Sequence, residues 1–356
     1  MSIRILEPGF LTTIQDEGRM AYEDLGVSVS GAMDRRALYI GNMLVDNPPG
    51  EGALEITVIG PRIEFTEDNI IAITGGDFTP VINDLSIDMY KAIRVKKGDI
   101  LSFKGIKSGC RAYMALAGGF NVPEIMKSKS TNINAKLGGY KGRKLQKGDE
   151  ILCQSPKVNL HNLENRSLTK EEFHSNHVVL RVLMGPQDDY FTSKGIETFL
   201  KETYAITNDF DRMGYRLQGP SIEHINGGDI ITDGIAFGAI QVPSQGQPII
   251  MVADRQTTGG YAKIANVISV DLPKLAQTKW GDKISFEKVT IEEAQRLYLK
   301  ELEELESMKK YLNTNNFNSK TIQNHGEAKN IHSSKEVKLY RIVVNGIEYM
   351  VKCEEV

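Results

Sequence analysis

Three cysteines in 356 residues, Cys110, Cys153 and Cys353, are too few for a disulfide framework. None is spaced as CxxC and an odd number cannot all pair internally, which fits a reducing cytoplasm. No apolar run approaches the roughly eighteen residues a membrane span needs. The opening MSIRILEPGF has neither the apolar core nor the small-residue cleavage site of a signal peptide. The expectation is a cytoplasmic protein with no membrane partner. Excess charge is missing too: a formal net charge of −3 and a pI near 6.1 leave no basic footprint, so nucleic acid is not an expected partner. Absent as well are a nucleophile elbow, a GxxxxGK phosphate loop and an HExxH helix. His174 and His177 form an HxxH, but no cysteine or carboxylate lies nearby at ligand spacing, so no metal is expected.

What the chain does hold is strand and turn. Ile56 to Phe65, Ile70 to Thr74, Ile93 to Phe103, Ala112 to Ala117, Val178 to Met184 and Ile249 to Val252 are β-branched or apolar runs. Gly, Pro, Asn and Asp punctuate them, and five Gly-Gly pairs begin at Gly75, Gly118, Gly138, Gly227 and Gly259. A helix is predicted from Asp34, as cap, to Val45, and a second from Asp188 to Thr203. ITVIGPRIEF (56–65) returns loosely as YRLQGPSIEH (215–224), and KKGDILSF (96–103) as KWGDKISF (279–286). The order is kept, which points to repeated units with a seam in the polar stretch 155–176. Thr290 and Glu293 read as a capping box opening an amphipathic helix over 290–312. Asn-rich 313–336 reads as a flexible linker. The last segment, 337–356, alternates apolar and polar around Asn345-Gly346, a hairpin signal.

Chemistry concentrates in GAIQVPSQGQPIIMVADRQTTGGY (238–261), where an apolar strand runs between two neutral polar loops. Loops of this kind, held at the ends of a strand, commonly form binding sites. They are expected to line one cleft together with DRMGYR (211–216). The bland alternative is a pair of ordinary turns. Charged residues within otherwise neutral motifs form a second set: Asp16 and Arg19, Asp34, Asp211 and Arg212, Asp254 and Arg255, and Lys263. Such neighbours serve structural ion pairs as readily as catalysis. Lys127 to Thr131 can hold an anion or form a solvated loop, and His224 reads as a strand residue.

The 238–261 stretch resembles the signature of the allophanate hydrolase subunit 2 family, which includes KipA, the C subunit of 5-oxoprolinase and the carboxyltransferase domain of urea carboxylase. GFLTTIQDEGR (9–19), GAMDRRAL (31–38), ALEITVIGP (53–61), AITGGDF (72–78), SGCRAYMALAGGF (108–120), SKSTN (128–132), GGYKGRKLQKGD (138–149) and NDFDRMGYRLQGP (208–220) match in the same order. The resemblance covers about residues 3 to 288. It implies a mainly β fold of two cyclophilin-like barrels, here 1–165 and 175–290. The final segment also resembles the opening hairpin of a biotin carrier domain, but stops before any Met-Lys-Met biotinylation motif and reads as a truncated remnant.

Three functions follow from the resemblance as expectations. The first is the C subunit of an ATP-dependent 5-oxoprolinase, working with a KipI-type B subunit and a LamB/YcsF-type A subunit and inactive alone. The second is a biotin-dependent carboxyltransferase acting on urea or a related amide. The third is a KipA-like regulator that antagonises a KipI-type kinase inhibitor. ATP would be used by the complex, no cofactor would be bound covalently, and biotin is a candidate ligand. Lactam, urea and biotin all place an amide N–H beside a C=O, which a glutamine amide matches. Residue chemistry therefore suggests Asp211, Asp254 and Lys263 as catalytic. Gln241, Pro243, Gln256, Thr257, Thr258, Gly259, Gly260, Tyr261 and Arg212 are suggested to bind substrate.

Overall fold

The β-branched runs become strands, as side chains that suit a pleated, half-buried surface should. The computed structural model describes residues 2–156, 158–164, 166–173, 176–318, 337–344 and 347–354. The chain is mainly β and divides into a body, Met1–Phe317, and a separate unit, Asn318–Val356.

The first half of the body holds two sheets. One runs in the order Glu150–Leu152, Ser2–Glu7, Arg62–Phe65, Ile100–Phe103, Pro80–Ile82, Leu85–Ser86. The other runs Leu11–Gln15, Ala53–Thr57, Ser108–Leu116, Asn69–Asp77, Ala92–Val95. Ile3, Ile5, Ile63 and Phe65 from the first sheet share one core with Ile14, Leu54, Ile56 and Ile71 from the second. Helix α1 (Arg35–Leu44) packs on the second sheet, so its central strands are buried along nearly their whole length. Gly41 makes that approach possible: a Cβ there would stand 3.0 Å from Thr74 Oγ1 and 3.4 Å from Ala115 Cβ.

The second half is a closed seven-stranded barrel, His177–Met184, Lys263–Val267, Ala239–Gln241, Ile249–Met251, Gly214–Gln218, Tyr204–Phe210 and Lys283–Lys288. The last strand pairs in parallel with the first, which removes both edges. The two halves are therefore built differently, one barrel closed and the other drawn as two sheets round a common core. Helix α2 (Ser193–Lys201) starts later than Asp188 because the Thr192 hydroxyl accepts from Gly195 N at 2.9 Å and caps it there. A short helix α3 (Leu272–Ala276) follows the barrel strand Lys263–Val267. Among the described residues no helix is long and apolar enough to cross a membrane.

The repeated Lys-x-Gly-Asp segments form the same turn. Asp99 Oδ2 accepts from Lys96 N at 2.7 Å and Asp282 Oδ2 from Lys279 N at 3.0 Å, with Gly98 at φ +87° and Gly281 at φ +86°. Asp149 and Gln146 repeat it a third time at 2.7 Å, around Gly148.

Helix α4 (Ile291–Asn318) runs past Leu312 and takes in the first residues of the stretch read as linker. Thr290 Oγ1 accepts from Glu293 N at 3.2 Å, as a cap should. The Glu293 carboxylate does not reach back, however, but pairs with Arg296 at 2.6 Å. Leu305, Met308 and Leu312 pack on the core of the first half. Strands Val337–Val344 and Ile347–Glu354 pair antiparallel, ending at Val344 opposite Ile347. Asn345-Gly346 lies outside the described residues, as does most of the expected linker.

Candidate functional site

Charged side chains cut off from water meet where the two halves of the body join. Arg212 donates from Nε to Asp254 Oδ2 at 2.9 Å and from Nη2 to Asp254 Oδ1 at 3.1 Å, a two-pronged pair. Its Nη1 reaches across to Glu55 Oε1 at 2.5 Å. Glu55 Oε2 accepts from Tyr113 Oη at 2.6 Å and from Met33 N at 2.9 Å. Arg111 donates to Tyr215 Oη and to Ala276 O, both at 2.6 Å. Gln277 donates to Asp34 Oδ2 at 2.7 Å and accepts from Cys110 N at 3.0 Å. Burial pushes the Glu55 carboxyl up, but Arg212 and Arg111 beside it hold it below its ordinary range. Burial likewise opposes charge on Arg212, yet Asp254 and Glu55 outweigh it and keep the guanidinium protonated.

Asp254 stands at the edge of this network and also lines a hollow of about 310 Å³. Gln256, Thr257, Thr258 and Met213 line it from the second half. Gly26, Val27, Ser28, Asn132, Asn134, Ala135 and Leu137 line it from the first. Asn134 Nδ2 lies 3.1 Å from Met213 Sδ, a contact between the two sides. A carboxylate fixed by an arginine thus faces neutral amides and hydroxyls. That set can accept from an N–H and donate to a carbonyl oxygen in one small space. Arg19 is fully buried near Asp254; burial lowers its pKa against the pull of Asp16 and Asp254.

The remaining predicted residues fall elsewhere. Gln241 and Gln256 approach each other around Gly259, where a Cβ would sit 2.9 Å from one amide nitrogen and 3.6 Å from the other. Gln241 itself is buried and donates to Tyr261 O at 3.4 Å. Buried Lys263 is opposite Gln241 in the barrel and donates to Asp233 Oδ2 at 2.7 Å. That bond holds the Asp233 carboxyl below its usual range. Gly259, Gly260 and Tyr261 lie in the strand Thr258–Tyr261, which pairs with Asp229–Gly234 as a two-stranded ribbon.

Among the described residues the segments expected to share one cleft line two different hollows. Pro243, with Gln245 and Gln247, lines a different hollow of about 510 Å³, along with Asn208, Asp209 and Arg216. Of DRMGYR, Met213 belongs to the Asp254 hollow and Arg216 to the other. Asp211 is exposed and accepts from Met213 N at 2.7 Å and Gly214 N at 3.2 Å, which makes it a turn former. The hydroxyls of Ser128 and Ser130 both donate to Asp16, and Lys129 pairs with Glu51, so that loop directs its donors to the protein's own carboxylates. His224 packs on Phe191 at 4.6 Å and bonds Val242 O at 3.0 Å, as a structural residue does. His177 sits 3.1 Å from Ser285 Oγ, and His174 lies outside the described residues. Among the described residues no group of three or more His, Cys, Asp or Glu is placed to hold a metal ion.

Sequence reasoning missed Glu55, Arg111 and Tyr113, and the hollow's Ser28, Asn132 and Asn134. Glu55 and Tyr113 sit inside strands and carry no local mark. Asn132 closes SKSTN, but nothing in that segment shows that it shares a hollow with Gln256, far along the chain.

The curated relatives include the C subunit of the 5-oxoprolinase of Haemophilus influenzae, 36% identical over 295 residues, covering 83% of this chain and 94% of the relative. The urea amidolyase of Saccharomyces cerevisiae is 34% identical over 313 residues, covering 83% of this chain but only 17% of that protein. Among solved structures, Kluyveromyces lactis urea amidolyase superposes with a TM-score of 0.80 at 30% identity, over 86% of this chain and 20% of that one. Residues 25–288 match the carboxyltransferase domain, subdomain A and B, and the chain belongs to that family.

Proposed function

We propose that this chain is the C subunit of an ATP-dependent 5-oxoprolinase, which opens 5-oxo-L-proline to L-glutamate together with a KipI-type and a LamB/YcsF-type subunit. The observation that carries the reading is the Asp254 hollow, read beside the near full-length likeness to a 5-oxoprolinase C subunit. Asp254, locked by Arg212, accepts the lactam N–H. Gln256, Thr257 and Thr258, with Asn132 opposite, donate to the lactam oxygen as it gains negative charge during attack. Asp254 can take a proton from the attacking water and return it to the leaving nitrogen. ATP supplies the driving force for opening an unstrained five-membered amide. The chain carries no phosphate loop of the GxxxxGK type, which favours a shared reaction over a solitary one.

The test is glutamate release from 5-oxoproline and ATP by the purified chain, alone and with both candidate partners. Turnover is expected only in the full mixture, and Asp254→Asn should lower kcat by about a hundredfold or more, the usual scale for losing a positioned acid–base group. Glutamate formed by the chain alone would sink the reading. Transfer of CO2 from carboxybiotin to urea in place of lactam opening would move it to the carboxyltransferase alternative.

A further inference from the structure

The ribbon of Asp229–Gly234 and Thr258–Tyr261 is a sheet of its own, separate from the barrel. Ile230 packs against the barrel core, whereas Ile231, its neighbour, is 95% exposed. Large apolar side chains continue this surface. Tyr261 is 41% exposed and lies opposite Asp229 in the ribbon. Ile225, 56% exposed, donates its N–H to Tyr190 O at 2.9 Å, and Tyr190 is itself 41% exposed. Gln187 Nε2 reaches Asp233 at 3.3 Å, and Ala262 N donates to Gly228 O at 2.8 Å, so the three stretches 185–190, 221–234 and 256–261 form one rim.

The charge of that rim is one-sided. The three stretches carry Asp188, Asp189, Glu223, Asp229 and Asp233, and no lysine or arginine. The neighbouring cation, Lys263, is buried and already engaged with Asp233. Exposed apolar groups rimmed by charge mark protein contact surfaces. With Asp233 paired to Lys263, the other four carboxylates repel nucleic acid and anionic lipid, and a second copy of the same rim would set acid against acid.

We propose that this rim docks a basic segment of a different protein chain, one that lays aliphatic side chains on Ile231 and Ile225 and sets lysine or arginine against the carboxylates. The proposal rests on reading the chain as one member of a complex. Docking here has a direct route to the hollow: Thr258 belongs to the ribbon and lines the hollow, and Gln256 lies two residues before it. A partner seated on the ribbon therefore fixes one wall of the site.

The experiment titrates the purified chain with the candidate KipI-type and LamB/YcsF-type proteins by calorimetry, at low and high salt. Ile231→Lys and Asp229→Lys are compared with Trp280→Lys, a change at a 69% exposed residue outside the rim. The expected result is a wild-type complex that weakens with salt, weakens at least tenfold in both rim variants and is unchanged in Trp280→Lys, with all melting temperatures alike. If wild type binds and both rim variants bind equally well, the surface proposal fails while the reading as a member of the complex stands. If wild type binds neither protein, that reading fails and takes this surface with it.

Discussion

Arg212 is the residue on which the junction turns, because two buried carboxylates from different halves share its three nitrogens. Removing it leaves Asp254 without its paired guanidinium and Glu55 with only Arg111, 4.0 Å away, beside it. Arg212→Met should therefore cost about 3–5 kcal/mol, the scale for breaking a buried pair by deleting one partner. Glu55→Gln should cost less, because its amide still accepts from Tyr113. Urea unfolding of the two variants checks the order, and equal losses would contradict it. The sequence showed the charged residues but paired them wrongly. Asp211 with Arg212 and Asp254 with Arg255 look like partners, yet Asp211 accepts from the amides of Met213 and Gly214 in its own turn. Arg212 instead reaches Asp254 across the sheet, while Arg255 turns away to donate to Ile235 O at 2.8 Å.

At the scale of elements, Asp34 shows what a helix cap costs when it is buried. Its Oδ1 caps α1 by accepting from Ala37 N at 2.9 Å, and that role was legible from a lone aspartate before an apolar period. Its second partner, Gln277, was not, since it arrives from the far end of the chain. Burial raises the Asp34 pKa to about 7, against an ordinary value of 3.8. A carboxyl whose folded pKa lies above its unfolded one binds its proton more tightly in the fold. Its contribution is thus present at acid pH and is lost as pH rises from about 4 to about 7. Asp34→Asn keeps the cap acceptor and should flatten this loss. Unfolding free energies measured at pH 5 and pH 8 should fall more steeply for wild type than for the variant, and parallel slopes would refute the assignment. The strands and the Lys-x-Gly-Asp turns were legible for the same local reason, that side-chain shape and positive φ are properties of a few adjacent residues. The end of α4 was not, because 313–318 continue the helix through a polar stretch with no apolar period to mark it.

For the whole molecule, a helix on its surface belongs to the first core. A chain ended at Asn318 should keep the melting temperature of the full chain, whereas one ended at Leu302 loses Leu305, Met308 and Leu312 from the packing. The second truncation should cost several kcal/mol, about as much as one or two large core deletions, and calorimetric scans of both chains decide it. Equal melting temperatures for the two would mean that α4 rests on the body without supporting it. The mainly β class was readable from short apolar runs and turns, but the hollow was not, because its walls come from distant parts of the chain. The same long reach bears on how the protein is made. Gln277 meets Asp34 across 243 residues, Ser28 meets Arg255 across 227, and Arg212 meets Glu55 across 157. Contacts so distant in sequence close late. A chain leaving the ribosome holds Glu55 for 157 residues before Arg212 is made, and Asp34 for 243 residues before Gln277 is made. The first half alone leaves these charges without their partners, so the junction can become dry only once the second half has joined it.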